Sequence, residues 1–155
     1  MNGENTLETL LPLIAIALFM GVNIFLKRRT ADKTEMGKVT SLLAEINQNL
    51  KIIETFAYDL RVRKFKTDSW NRNKTKLDFL DERLHTTLAN TFSMAEELNR
   101  EIDTAKKYKS SSYLAGIEVD KLSESLTKSK QGLTEWFAAN KDKKGLMPKK
   151  RSLFG

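Results

Sequence analysis

From Thr9 to Leu26 the chain reads TLLPLIAIALFMGVNIFL, eighteen residues without a charge, bounded by Glu8 and Lys27. A helix needs roughly 20 residues at 1.5 Å each to cross the ~30 Å hydrocarbon core of a bilayer, and this run with its flanks reaches that length. A core helix of a water-soluble protein rarely runs so far without a charge. A cleaved signal peptide would carry Lys or Arg before the apolar run, whereas Glu4 and Glu8 stand there, and no Ala-x-Ala-like site follows. The run is therefore expected to be a retained transmembrane helix. Lys27, Arg28 and Arg29 follow it directly and no basic side chain precedes it. The positive-inside rule then assigns residues 1–8 to the outside, 9–26 to the bilayer, and everything from the basic linker 27–35 onward to the cytoplasm. Ala17 and Gly21 form a small-xxx-small pair that suits close approach of two such helices.

Between Ala31 and Met147 there is no proline, which permits long helices and argues against many short strands with tight turns. Met36, Val39, Leu43, Ile46, Leu50, Ile53, Ala57 and Leu60 follow one another at alternating intervals of 3 and 4, a heptad seam widened by Leu42 and Phe56. A second series runs Leu77, Leu80, Leu84, Leu88, Thr91, Ala95, Leu98, Ile102 and Ala105, and opens on a capping-box pattern, Thr75 to Asp78. A third, Ala115, Val119, Leu122, Leu126, Ser129, Leu133 and Trp136, is poorer, with a serine in the seam and Gly116 and Gly132 beside it. Polar clusters at Lys64 to Lys74 and at Lys109 to Ser112 separate the three. The fold expected is all-α: a transmembrane helix, then a cytoplasmic helical domain over 36–140 with helices near 36–63, 75–107 and 113–139. Those three would form an antiparallel up-down-up bundle, or else an extended coiled coil that dimerises. Residues 141–155, KDKKGLMPKKRSLFG, read as a basic disordered tail, since Gly145 and Pro148 break any helix.

Little here supports catalysis. There is no cysteine, which removes disulfides, thiolate metal sites and thiol nucleophiles together. The single histidine, His85, lies in a charged stretch beside the apolar stripe, and one histidine alone is no zinc site. No phosphate-binding loop, nucleophile elbow or dinucleotide fingerprint occurs. The expectation is a protein without enzymatic activity, metal or cofactor.

The net charge of +7 is unevenly distributed: Lys27 to Lys38 carries +3, Arg61 to Lys76 carries +6 and Lys141 to Arg151 carries +5, while the seam-bearing segments are mildly acidic. Arg61, Arg63, Lys64, Lys66, Arg72, Lys74 and Lys76 are interleaved with Phe65 and Trp70, and the tail adds Lys149, Lys150 and Arg151. Such a pattern suits anionic lipid, an acidic protein or nucleic acid, with Trp70 free to stack on a base in the last case. In an up-down-up bundle the link and the tail would meet at the end away from the membrane. The sequence thus reads as a membrane-anchored scaffold or adaptor that assembles with itself or another helical protein and offers a basic end to an anionic partner. The alternative is a membrane recruiter of nucleic acid through 61–76 and 141–151.

Overall fold

A computed structural model describes residues 34–143, and within them all the regular structure is helical, with no strand. Helix α1 spans Glu35–Glu54, α2 Asp68–Asn73, α3 Glu82–Tyr108 and α4 Val119–Asn140, with a 3-10 turn at Ser111–Leu114 before the last helix. Thr34 opens α1 by accepting a 3.0 Å bond from the Gly37 amide, and Asp81 opens α3 by accepting from Leu84 at 2.9 Å. Such caps satisfy amides that the first turn of a helix leaves without partners. Helix α3 ends where Lys109 turns left-handed (φ 51°), with its amide returned to Ala105 and Lys106.

The direction of each helix is set by the contacts between elements. The Lys38 ammonium lies over the Phe79 ring, just before α3 begins, and Asn49 and Asn99 hold adjacent residues, Lys66 and Phe65. Both helices therefore advance in the same direction. Phe79 packs on Trp136, Gly132 on Leu84, and Thr91 bonds Ser125 and Ser129, so α4 runs back against both. This corrects the up-down-up expectation. The first connection, residues 55–81, is no simple turn but a strap that travels the length of α1 before α3 begins. Its far end approaches Lys64 and Asp103, bonded at 2.6 Å. Phe79 lies against both Lys38, in the first turn of α1, and Trp136, near the end of α4, so the described chain begins and ends at the opposite, near end.

The all-α expectation holds, but several seam assignments shift. Val39, Ile46, Leu84, Leu88, Ile102, Leu122, Leu126 and Leu133 are buried as spacing predicts. On α1 the buried face is turned by about one residue: Leu42, Asn49 and Ile52 occupy the core, while Leu43, Leu50 and Ile53 pack at its edge, as Leu98 does on α3. The reason is that α1 has two neighbours, α4 and the strap, and the strap draws the inward face toward 45, 49 and 52. Leu60, expected in the seam, is 40% exposed. Helix α1 ends at Glu54 instead of reaching residue 63, and turning there returns Val62 and Phe65 to the core. Helix α3 likewise begins at Glu82, not at 75. Leu77 and Leu80 are still buried, carried by tight turns (Leu80 amide to Leu77 carbonyl, 2.9 Å) whose spacing of three mimics a helix. The final helix starts at Val119 in place of 113.

Ser129 and Thr91, which interrupt two different apolar seams, face one another. The Thr91 hydroxyl lies 2.8 Å from the Ser129 hydroxyl and 2.6 Å from that of Ser125, and donates to the Thr87 carbonyl at 2.8 Å. A buried hydroxyl without a partner costs about 1–3 kcal/mol, so each residue makes the other tolerable.

Among the described residues no helix is long and apolar enough to cross a membrane. The segment 9–26, its basic flank Lys27, Arg28 and Arg29, and the tail residues from 144 lie outside the described residues.

The turned face of α1 sets a contrast in stability. Leu42→Ala, which empties a fully buried site, is expected to cost about 2–5 kcal/mol, whereas Leu60→Ala should stay within about 0.5 kcal/mol. Urea melts of the two variants measure the difference, and equal losses would return α1 to the heptad register.

Candidate anion-binding groove

The strap owes its course to three buried polar side chains. Asn99 accepts from the Phe65 amide at 2.7 Å and donates to the Phe65 carbonyl at 2.9 Å. Asn49 does the same for the next residue, accepting from the Lys66 amide at 2.6 Å and donating to its carbonyl at 2.8 Å. Adjacent residues of an extended chain point their backbone groups to opposite sides. One asparagine from α3 and one from α1 therefore grip the strap from its two flanks, as neighbouring strands would. Beyond the grip, the Glu45 carboxylate accepts from the amides of Ser69 at 2.8 Å and Trp70 at 2.9 Å, capping α2 from a different helix.

Burial raises the Glu45 pKa above the ordinary carboxylate value, although the two amides that it binds pull the other way. The strap also contributes to the core: Val62, Phe65 and Trp70 are buried, and Trp70 stacks on Phe92 at 5.2 Å with the rings nearly parallel. The assignment of Trp70 to partner binding is thereby corrected. The residue is 6% exposed, with its ring stacked on Phe92 and His85 also beside it, so it is not open to a base.

With 62 and 65 turned inward, the cations between and beside them must project into solvent, since an unpaired charge does not follow an apolar side chain into a core. Arg61, Arg63, Lys64 and Lys66 line a groove of ≈ 590 Å³ whose floor is Ile52 and Val62. Lys51, from the last turn of α1, and Lys106, from the last turn of α3, complete it. Periodicity alone misses these two, since they reach the groove only because α1 and α3 are parallel. Cations near carbonyl ends are what helix dipoles favour. Six cations thus line the groove and no acid does. Two have partners beside it: Arg61 binds Asp59, whose carboxyl it holds below the usual range, and Lys64 binds Asp103. Lys51, Arg63, Lys66 and Lys106 make no ion pair among the described residues.

The other basic residues of the segment do not join the groove as a set. Arg72 lines a smaller hollow with Glu45 and Asp68 and donates to the Ser69 hydroxyl at 3.2 Å. Lys74 donates to Asn71 at 3.0 Å, and its carbonyl lies 3.3 Å from Nε2 of His85; Lys76 is exposed in the following turn. Lys149, Lys150 and Arg151 lie outside the described residues, but the chain leaves α4 at the near end. Link and tail therefore start from opposite ends of the domain, not from one combined pole.

Among the described residues no group of three or more His, Asp or Glu side chains is placed to hold a metal ion. Comparison with family models, with curated proteins and with solved structures returned no match for this chain.

Because the folded-state pKa of Glu45 is raised, the folded state binds its proton more tightly than the unfolded chain does. Stability should fall as pH rises from the ordinary carboxylate value through the raised one, and level off above it. Glu45→Gln removes that part of the pH dependence while losing one of the two accepted bonds. Melts of both proteins across pH 4 to 8 measure the difference (about 4 to 8 spans the carboxylate range and the tail of raised values). Parallel curves would mean that Glu45 titrates normally.

Proposed function

We propose that this chain is a membrane-anchored helical adaptor whose cationic groove holds an acidic protein surface away from the bilayer. In this reading residues 9–26 span the membrane, Lys27, Arg28 and Arg29 keep the rest of the chain in the cytoplasm, and the helical domain stands on the linker. The observation that carries the reading is the separation of the two ends. The chain enters and leaves the described domain at the near end, beside Lys38, Phe79 and Trp136, and the groove lies at the other. Helix α3 alone, 27 residues, covers roughly 40 Å at 1.5 Å per residue. That is several times the ~8 Å Debye length of physiological salt, so a groove at the far end of an upright domain is screened from head groups. The tail cations Lys149, Lys150 and Arg151 start from the near end instead, where anionic head groups would meet them. An apolar floor beneath the cations favours an acidic peptide with apolar side chains over a bare phosphate chain, and the burial of Trp70 removes the stacking residue that the nucleic-acid alternative relied on.

The chain has no cysteine, so single cysteines report topology cleanly. One at Asn2 should react with a membrane-impermeant reagent in intact cells, and one at the exposed Lys130 should not. The reverse pattern removes the cytoplasmic groove. In neutral detergent, a labelled acidic peptide with apolar residues should bind the full chain, and Arg63→Glu with Lys66→Glu should weaken it at least tenfold, about 1.4 kcal/mol. The same charge change at Lys141 and Lys143, exposed at the other end, should have a small effect. Equal losses in both variants would reduce the groove to general attraction. Tighter, groove-dependent binding of single-stranded DNA would favour the recruiter of nucleic acid.

A further inference from the structure

The groove has a counterpart on the same molecule. On the other flank of α3, where it meets the 3-10 turn and the start of α4, a second groove of ≈ 390 Å³ is lined by Glu97, Glu101 and Glu118, with Lys121 as the one cation in its wall. Its apolar surface comes from Met94, Leu98 and Ile117, with the 43%-exposed Tyr113 at the rim. Glu118 is paired with Lys121 at 2.5 Å, but Glu97 and Glu101 have no ion pair among the described residues. The two grooves match in kind: each has an apolar floor, one with four unpaired cations and the other with two unpaired carboxylates. They also match in height. Glu101 and Lys106 are five residues apart on one helix, about 7.5 Å along its axis. At about 100° per residue, α3 turns Glu97 and Glu101 well away from Asn99, Asp103 and Lys106, so one groove leaves the other open.

We infer that the acidic protein surface held by the cationic groove is the Glu97–Glu101 face of a second copy of this chain. The inference rests on the adaptor reading above, of which it names the partner. Copies anchored in one membrane share one orientation, so grooves at equal height on different flanks can meet side by side. Because the two faces differ, each copy uses both, and the contact repeats into a row or closes into a ring. Confinement to a membrane raises the effective concentration, so an interface too weak to form in dilute solution suffices there. The tyrosine at the rim and the apolar floors supply the water-excluding part of such a contact, and the charges set its register.

The full chain, reconstituted in neutral lipid vesicles and labelled with donor or acceptor at Lys130→Cys, tests this through energy transfer. The wild type should transfer well above a labelled single-pass control at equal density. Arg63→Glu with Lys66→Glu should lose that excess, because two of the four unpaired cations become acids and the unpaired charges of the groove cancel, and so should Glu97→Lys with Glu101→Lys, which leaves both faces positive. An equimolar mixture of the two variants should recover transfer, since the unaltered cationic groove of one then meets the unaltered acidic face of the other. Recovery in the mixture cannot come from misfolded protein. No excess transfer in the wild type, or no recovery in the mixture, overturns the inference. If the acidic peptide still binds the groove in that event, the partner is another protein and the adaptor reading stands; if the peptide fails too, both fall.

Discussion

The fold depends on the double grip of Asn49 and Asn99 on two adjacent residues of the strap. Four backbone groups, the amide and carbonyl of Phe65 and those of Lys66, pass through the interior between α1 and α3 with no strand beside them. Each would cost free energy comparable to a lost hydrogen bond if left alone. The two amide side chains have both donor and acceptor, so each satisfies one residue completely. That grip fixes where Val62, Phe65 and Trp70 enter the core, and their inward turn fixes which cations face outward. The groove is thus a consequence of how the strap is held.

Helical spacing marked the class of the fold and most of its core. It failed where a residue has a reason to be buried other than apolarity. Glu45, Asn49 and Asn99 are polar and stand off the predicted seams, yet they are buried because they serve the strap's backbone. Nothing in periodicity signals this, since the partner is a main-chain group elsewhere in sequence. Thr91 and Ser129 were visible as seam defects, but their pairing depends on the register of α3 against α4. The basic link was legible as a charge cluster, and four of its cations do gather in one groove. Spacing could not separate them from Arg72, Lys74 and Lys76, nor recruit Lys51 and Lys106, because that requires α1 and α3 to be parallel.

The same parallel arrangement accounts for the charge of the far end. Two helices bring their carbonyl ends there, and each carries lysine in its last turn, Lys51 on α1 and Lys106 and Lys107 on α3. Helix α4, running the other way, brings its amide end to that region with Glu118 and Asp120 at its start. Favourable helix-end charges alone therefore place a basic surface and an acidic surface close together on one domain. An antiparallel α1 and α3 would have divided the cations between the two ends.

The two halves of the grip also differ in sequence separation. Asn49 precedes its partner by 17 residues and Asn99 comes 34 after its own. A chain made from its N-terminus can close the first half of the clamp as soon as the strap emerges, with Glu45 receiving Ser69 and Trp70 soon after. The second half waits for α3, which arrives with Asn99 for Phe65 and Phe92 for the face of Trp70. Helix α4 then covers a surface that the earlier elements have finished, and Ser129 meets a threonine already in place. If the elements dock in chain order, each meets needs left open by the one before it, and the stage most exposed to misassembly is the interval when the strap is held from one side alone.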